Sequence, residues 1–370
     1  MYKIDIEERV LHFRQPAATS RGVYTERRIW LLTARDGEAV GVGECAPLPD
    51  LSCDALPLPI YNKVLRDFCD QVEQTGELPL DALRDYPSML FGLETATLSL
   101  QRALSMGKVQ QAEGVPYVPQ LFDTPFARGE VGIPINGLVW MGTFDEMAAR
   151  IEQKLEQGYG CVKLKIGAID FDSELTLLRR IRERYGPRQV ELRVDANGAF
   201  GARPGDDAAM GTGLDEALYK LELLSQYALH SIEQPIPAGR WADMAELCRD
   251  APLPIALDEE LIGVNDPDTK RQMLNIIRPA YIVLKPSLHG GMAGCREWVA
   301  TARDMGIGSW ITSALESNIG LNAIAQLCSD VYGDHITMAQ GLGTGQLFTD
   351  NIGMALELRG DRLFFSLTRQ

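Results

Sequence analysis

The 370-residue chain lacks the features that define several large classes of protein. No stretch approaches the run of about 18 apolar residues that a membrane-spanning helix needs, so no transmembrane segment is predicted. No run of lysine and arginine is present either, and 36 basic against 51 acidic residues leave a net charge of −15. Phosphate contacts need a basic surface, so this composition disfavours a nucleic-acid partner.

Cysteine and histidine, the residues of zinc and redox sites, are few and scattered. The seven cysteines include no Cys-x-x-Cys pair, and the four histidines show no metal-ligand spacing. We expect the cysteines to be buried or partly buried free thiols in a reducing compartment. Residues 1–13 alternate like a strand and lack the apolar core of a signal peptide, so the cytoplasm is the expected location.

The order of apolar segments predicts two parts in the chain. Strand-like residues 2–13 and 28–33, the turn signal Asp36-Gly37, and helical segments at 58–74 and 88–105 are typical of an α+β unit. From about residue 131, eight short apolar segments alternate with helical ones, as expected for strands buried on both faces. They are 132–139, 161–166, 190–195, 230–235, 253–259, 280–286, 308–313 and 336–341.

Eight strand–helix units over roughly 215 residues match the size of a (β/α)8 barrel. The helix pattern alone also fits a doubly wound parallel sheet, but we favour the α/β barrel. One of the connecting helices begins with a capping box, Thr143-Phe-Asp-Glu146. Residues 203–213 are predicted to be a surface insertion.

Charged side chains interrupt or end five of the predicted strands, where an unpaired buried charge is costly. They are Lys163 and Lys165 in the second strand, Asp195, Glu233 and Asp258 at the ends of the third to fifth, and Lys285 at the end of the sixth. The carboxyl ends of barrel strands meet at one mouth, so these groups are predicted to converge there. Three carboxylates without histidine suit Mg²⁺ rather than zinc or copper. The alternative is that each carboxylate only caps a helix or pairs with a lysine.

The lysines of the second strand are candidates for proton transfer. Lys163 and Lys165 are two residues apart, so both should point into the barrel. Mutual repulsion and desolvation predict a lowered lysine pKa, which would make a neutral amine available as a base. Lys285 is expected to reach in from the opposite side. The alternative is that the lysines only balance the carboxylates.

Together these segments resemble the enolase superfamily in its muconate-cycloisomerase-like branch. The segments are Lys163-Leu-Lys165, Asp195-Ala-Asn197, Glu233-Gln-Pro235, Asp258-Glu259 and Lys285-Pro-Ser. Enolase-superfamily sites combine a Lys or His base with Mg²⁺. The resemblance covers nearly the whole chain. It implies an N-terminal α+β capping domain at 1–125, the barrel at 126–345, and a C-terminal segment at 346–370 that returns to the capping domain.

Four further stretches resemble the o-succinylbenzoate synthase family of this superfamily. They are GVGECAPLP at 41–49, TSRG at 19–22, PINGLVW at 134–140 and SALES at 313–317. This likeness implies dehydration of 2-succinyl-6-hydroxy-2,4-cyclohexadiene-1-carboxylate to 2-succinylbenzoate, a step of menaquinone biosynthesis. The expected partner is thus a small-molecule carboxylate, and the oligomeric state is left open.

The resemblance also implies roles for individual residues. Asp195, Glu233 and Asp258 would bind Mg²⁺, with Mn²⁺ as an alternative ion. Lys165 would transfer the proton and Lys285 would face it across the substrate, with Lys163 as a third catalytic candidate. The residues expected to contact substrate or support the site are Asn197, Arg193, Ser287, Ser313, Glu316, Gly343, Arg21 and Leu48.

Some features depart from the family pattern and leave other functions open. The 203–213 insertion is longer than the family needs, and Asp50-Leu51 stands where Gly-Phe is common. An N-succinylamino acid racemase remains an alternative, as does a lactonising cycloisomerase. A dipeptide epimerase is disfavoured because residues 341–345 carry no acidic side chain. A non-catalytic binding protein is disfavoured by the complete set of lysines and carboxylates.

Overall fold

The computed structural model describes residues 2–19, 22–106, 120–201 and 213–366. These residues form an N-terminal α+β unit, a parallel sheet surrounded by helices, and a C-terminal hairpin. Residues 203–212 of the expected insertion lie outside the described residues. No helix in the described part of the chain has both the length and the apolarity needed to cross a membrane.

The N-terminal unit is a three-stranded antiparallel sheet covered by helices. Its elements are β1 (Lys3–Thr19), β2 (Gly22–Asp36), β3 (Ala39–Cys45), α1 (Leu58–Thr75), α2 (Leu80–Leu83) and α3 (Pro87–Met106). Gly37 turns the chain between β2 and β3 with a φ of 59°, as the Asp36-Gly37 signal predicts. At Gly43 a Cβ atom would lie 2.0 Å from the carbonyl oxygen of Gly92, so glycine lets β3 pack directly against α3.

Seven parallel strands form the central sheet, and each strand lies next to the one that precedes it and the one that follows it in the chain. They are β5 (Gly137–Val139), β6 (Cys161–Lys165), β7 (Glu191–Asp195), β8 (Ser231–Glu233), β9 (Ile255–Leu257), β10 (Tyr281–Leu284) and β11 (Gly308–Ile311). Seven of the eight predicted segments are therefore strands. In the eighth, Gln340 and Gly341 make only single bridges, to Ile135 and Thr312.

A helix follows each of these strands, as the periodicity predicts. The helices are α4 (Phe144–Glu156), α5 (Phe171–Arg184), α6 (Leu214–Ser225), α7 (Trp241–Asp250), α8 (Pro267–Ile277), α9 (Gly291–Asp304) and α10 (Asn318–Tyr332). The predicted capping box of α4 is confirmed, because Thr143 and Glu146 each accept a hydrogen bond from the other's backbone amide. This pairing satisfies N–H groups that the first turn of a helix leaves free.

The C-terminal segment contacts both parts of the molecule. Next to β1, the amide of Arg14 donates to the carbonyl of Leu347 at 2.8 Å, and that of Thr349 donates to His12 at 2.8 Å. Further on, the hairpin of β12 (Leu356–Arg359) and β13 (Arg362–Phe365) pairs with β4 (Ile133–Pro134), which precedes β5. The beginning of this segment thus contacts the N-terminal unit, whereas the hairpin adjoins the part that contains the central sheet.

A shared apolar cluster joins the N-terminal unit to the central sheet. It contains Leu11, Ile29 and Leu48 from the first unit, together with Leu288 and Leu315 from loops after β10 and β11. Because these loops follow the carboxyl ends of their strands, the N-terminal unit covers that end of the sheet. A cleft between the two is the consequence.

Candidate active site

The cleft has a charged floor and an apolar wall. Its floor comes from strand ends and the residues that follow them: Lys163, Lys165, Asp195, Asn197, Glu259 and Lys285. Its wall comes from both parts of the molecule: Tyr24, Leu48, Leu51, Leu138, Trp140 and Leu315. Four of the six charged groups predicted to share one mouth line this cleft: Lys163, Lys165, Asp195 and Lys285. The other two, Glu233 and Asp258, do not line it but contact Lys163 and Lys285.

Strand register places three of the charged groups side by side. Asp195 on β7 is paired with Lys165 on β6 and with Glu233 on β8. The Lys163 amine lies 2.9 Å from Asp195 Oδ2 and 2.6 Å from Glu233 Oε2. The Lys165 amine lies 2.9 Å from Asp195 Oδ2 and donates to Asn197 Oδ1 at 2.7 Å. Both lysines point to the same side of β6, as their spacing predicts.

The expected lowering of lysine pKa is wrong for Lys163. Burial alone would lower its pKa, but the nearby charges of Asp195 and Glu233 raise it above the ordinary lysine value. The same balance lowers the pKa of Asp195, where burial opposes ionisation and the charges of Lys163 and Lys165 favour it. The prediction counted the repulsion between lysines and left out the stronger attraction of the carboxylates.

Lys285 and Asp258 form the second charged pair of the site. The Lys285 amine contacts Asp258 Oδ2. Burial lowers the pKa of Lys285, but the charges of Asp258 and other nearby carboxylates raise it, and the net shift is upward. Behind the pair, His289 Nδ1 accepts a hydrogen bond from the Lys285 amide at 2.9 Å. Burial lowers the pKa of His289 to about 3, so it is a neutral acceptor that holds the Lys285 segment.

A divalent cation could be held by the carboxylates of Asp195, Glu233 and Asp258. All three are buried, and both Glu233 Oε1 and Asp258 Oδ1 lack a hydrogen-bond partner. Burial and the charge of Asp195 raise the pKa of Glu233, which means that its ionised form is disfavoured. A bound cation would stabilise that ionised form. Lys163 and Lys285 lie among these oxygens, and the described residues contain no ready cluster of three metal-ligating side chains. The donor chemistry fits a hard cation that competes with the lysines.

Comparison with known proteins identifies the family. Residues 146–344 match the family model for enolase C-terminal domain-like proteins. An o-succinylbenzoate synthase from Desulfotalea psychrophila is 43% identical over 95% of this chain and 96% of its own length. The chain belongs to the enolase superfamily.

Other members of the enolase superfamily show the breadth of the likeness. The crystal structure of MenC from Desulfotalea psychrophila has a TM-score of 0.78 and 38% identity, covering 98% of this chain and 99% of that one. An L-Ala-D/L-Glu epimerase from Bacillus subtilis is 27% identical over 84% of this chain and 79% of its own length. Superfamily members use a divalent metal, typically Mg²⁺.

Several residues predicted to contact substrate lie in the cleft. Leu48, Ser313, Gly343 and Asn197 line it. Asn197 has a positive φ of 46°, accepts from Lys165 and donates to Glu259 at 2.9 Å, so it orients the lysine. The Ser313 hydroxyl lies 2.6 Å from that of Thr344.

Other predicted residues support the cleft from behind. Arg193 donates to the carbonyl of Ala339 at 2.9 Å and lies over the ring of Trp310, 4.5 Å from its centroid. Ser287 donates to Glu316 at 2.6 Å, and both are fully buried. These three therefore hold the loops in place and do not line the cleft. Arg21 lies outside the described residues.

Some residues that line the cleft were missed in the sequence. Asn136 and Trp140 stood in a segment already noticed, and Glu259 follows a predicted metal ligand, so their positions could have been found. Trp310 likewise stood in a predicted strand, 308–313. Tyr24 carried no such signal, because it reaches the cleft only through packing between distant parts of the chain.

Proposed function

We propose that this chain is an o-succinylbenzoate synthase. It would catalyse the Mg²⁺-dependent syn dehydration of 2-succinyl-6-hydroxy-2,4-cyclohexadiene-1-carboxylate to 2-succinylbenzoate in menaquinone biosynthesis. The observation that carries this proposal is the cleft that holds Lys165 and Lys285 on strands four positions apart, next to buried carboxylates. The 43% identity to an enzyme of that name supports the same reaction.

The proposal assigns the metal to Asp195, Glu233 and Asp258. Mg²⁺ supplies positive charge that stabilises negative charge developing on the substrate carboxylate. Lys163, which contacts two of these carboxylates, would balance their charge.

Lys165 would carry both proton transfers. Its neutral amine takes the proton next to the substrate carboxylate, and its ammonium then gives a proton to the departing hydroxyl on the same face. The C–H and C–O bonds break, water leaves, and the ring becomes aromatic. Asp195 and Asn197 hold the Lys165 amine in place, and Lys285 remains a fixed charge across the cleft.

The proposal extends to the architecture. Gln340 pairs with Ile135, just before β5, and Gly341 pairs with Thr312, just after β11. These bridges support residues 336–341 as the eighth strand of a complete (β/α)8 barrel. Residues 1–125 would be the capping domain, 126–345 the barrel domain and 346–370 the returning segment. The apolar wall of the cleft suits the ring and methylene groups of the substrate.

The decisive test is turnover of the cyclohexadiene by the purified protein with and without Mg²⁺. We expect 2-succinylbenzoate to form with Mg²⁺, and its formation to stop after EDTA treatment and to return when Mg²⁺ is restored. Full activity in protein shown to be metal-free would contradict the metal assignment.

An N-succinylamino acid racemase is the second candidate, favoured by the presence of Lys285 in the same cleft as Lys165. Racemisation needs both lysines to exchange protons, whereas syn dehydration needs one. Lys285→Arg should therefore keep more dehydratase activity than Lys285→Ala, and racemase activity should vanish in both. Deuterium exchange into each enantiomer of an N-succinylamino acid measures the second activity. Efficient racemisation without dehydration would reverse the order of the two candidates.

A further inference from the structure

Arg27 on β2 joins two segments that form the wall of the cleft. Its side chain is buried, with 3% of the residue exposed. The guanidinium donates to the carbonyls of Ala46 and Pro47, in the segment after β3. It also donates to Ala314 at 3.4 Å and to Leu315 at 3.2 Å, in the segment after β11.

Both segments present a leucine to the cleft. Leu48 directly follows Pro47, and Leu315 carries one of the accepting carbonyls; both side chains line the apolar wall. One guanidinium therefore bridges the N-terminal unit and the barrel at the place where each contributes to this wall.

Leu315 has a backbone conformation that needs support. Its φ is 65°, in the left-handed region that a leucine rarely adopts. Arg27 holds the carbonyl of Leu315, and Glu316 accepts from the amide of Ala314 at 2.6 Å on the other side. Such strain persists where the surroundings determine the conformation, and here they determine where the Leu315 side chain stands.

The chemistry of this contact requires arginine. The planar guanidinium has five N–H donors in a fixed fork, so it can serve two segments at once. A lysine has three donors on one atom and cannot span both pairs of carbonyls. Within the described part of the chain, the Arg27 guanidinium donates to carbonyls of these two segments, which suits a role in fixing backbone positions.

We propose that Arg27 is a positioning residue that sets the locations of Leu48 and Leu315 and thereby the fit of the apolar part of the substrate. The choice of substrate in this inference rests on the proposed dehydratase function. Because these leucines are not among the charged groups that react, the contact should affect binding of substrate more than the chemical step.

The test compares Arg27→Lys with Arg182→Lys. Arg182 on α5 also donates to backbone carbonyls, those of Tyr227 and Val190 at 2.7 Å, but it does not line the cleft. In Arg27→Lys we expect KM and the Kd of 2-succinylbenzoate to rise about tenfold, with kcat changed less than about threefold and Mg²⁺ affinity unchanged. Arg182→Lys should leave all four values unchanged.

Hydrogen exchange separates this inference from the proposed function. The amides of Ala46, Leu48, Asp50 and Leu51 and of residues 314–317 should exchange faster in Arg27→Lys than in Arg182→Lys, whether or not the protein dehydrates the cyclohexadiene. An unchanged KM in folded Arg27→Lys, or exchange that rises equally everywhere, would overturn the inference. If Arg27→Lys does not fold, Leu315→Ala keeps Arg27 and removes the wall contact; it should raise KM in the same way, and an unchanged KM would overturn the inference.

Discussion

Lys163 and Lys165 are two residues apart but have different neighbours. Lys163 contacts the carboxylates of Asp195 and Glu233, which favour its charged form. Lys165 contacts one carboxylate and the amide oxygen of Asn197. The two carboxylates raise the pKa of Lys163 against the effect of burial, which suits Lys163 to balancing charge rather than to acting as a base.

Replacing Lys165 by arginine should remove catalysis and keep the charge. A guanidinium does not deprotonate, so kcat should fall by about 10²–10⁴-fold, the usual contribution of a general base. Lys154→Arg on α4, outside the cleft, is the matched control and should keep wild-type kcat. Both are measured by dehydration of the cyclohexadiene. If Lys165→Arg turns over normally, the base is another group, with Lys163 the first to examine.

Replacing Asp258 by asparagine should weaken the metal site without unfolding the protein. The change removes one charge from three carboxylates, so Mg²⁺ affinity should fall by at least about 10–100-fold and turnover with it. Calorimetric titration with Mg²⁺ measures the affinity. Asp266→Asn is the control, because Asp266 caps α8 by accepting from the amide and the hydroxyl of Thr269 at 2.8 and 2.9 Å, and asparagine caps equally well. Equal Mg²⁺ affinity in the two variants would remove Asp258 from the ligand set.

At the scale of elements, α3 and α9 are joined through a carboxylate. Glu94 on α3 accepts from the amides of Met292 and Ala293 at 2.5 and 2.9 Å, at the beginning of α9. The amides at this end of a helix favour a negative charge, but burial is the larger effect and raises the pKa of Glu94 to about 7. The helix that follows Lys285 is thereby attached to the N-terminal unit.

The raised pKa of Glu94 makes stability depend on pH. In the folded state Glu94 holds its proton up to about pH 7, whereas in the unfolded chain it loses the proton near the ordinary glutamate pKa of 4.5. Between these values the unfolded state binds fewer protons, so the free energy of unfolding should fall as pH rises. In Glu94→Gln this contribution is absent. Urea unfolding from pH 5 to 8 should show wild type losing stability relative to Glu94→Gln, by on the order of 1 kcal/mol or more.

Glu222→Gln on α6 is the control for that experiment, because Glu222 is exposed. Its stability should follow the wild-type pH dependence throughout. A constant difference between wild type and Glu94→Gln from pH 5 to 8 would show that Glu94 ionises at its ordinary pH in the folded protein.

At the scale of the whole molecule, Glu44 connects the N-terminal unit to a helix of the central-sheet part. It is fully buried at the end of β3 and accepts from the amides of Ser317 and Gly320, at 2.8 and 2.9 Å, and from the Ser317 hydroxyl. Ser317 is the N-cap of α10 and Gly320 lies in its first turn, directly after the Leu315 segment. Burial raises the pKa of Glu44 to about 7.

Removing the Glu44 side chain should therefore weaken the junction of the two parts. Glu44→Ala leaves buried amides without acceptors, so the free energy of unfolding should fall by about 2–4 kcal/mol. Glu44→Gln keeps an acceptor oxygen and should lose less. Urea unfolding at pH 7 measures both. Equal losses in the two variants would show that the hydrogen bonds to α10 contribute little.

The sequence by itself determined the elements and the main chemistry of the site. Seven strands, the capping box at Thr143 and the shared mouth of the charged strand ends follow from local periodicity and from parallel strands ending at one edge. The positions of Lys165, Asp195 and Lys285 in the cleft were predictable for that reason. So was the family, because its distinctive segments are short and continuous.

Only the tertiary structure decided which distant groups meet. Three contacts depend on packing between elements far apart in the chain: the bridge from Arg27 to the Leu315 segment, the position of Tyr24 in the cleft, and the single bridges of Gln340 and Gly341. The direction in which the pKa of Lys163 shifts also depends on the tertiary structure. Burial lowers this pKa and the nearby carboxylates raise it, and the distances between these groups decide which effect is larger. Sequence spacing carries no information about those distances, so the balance exists only in the folded protein.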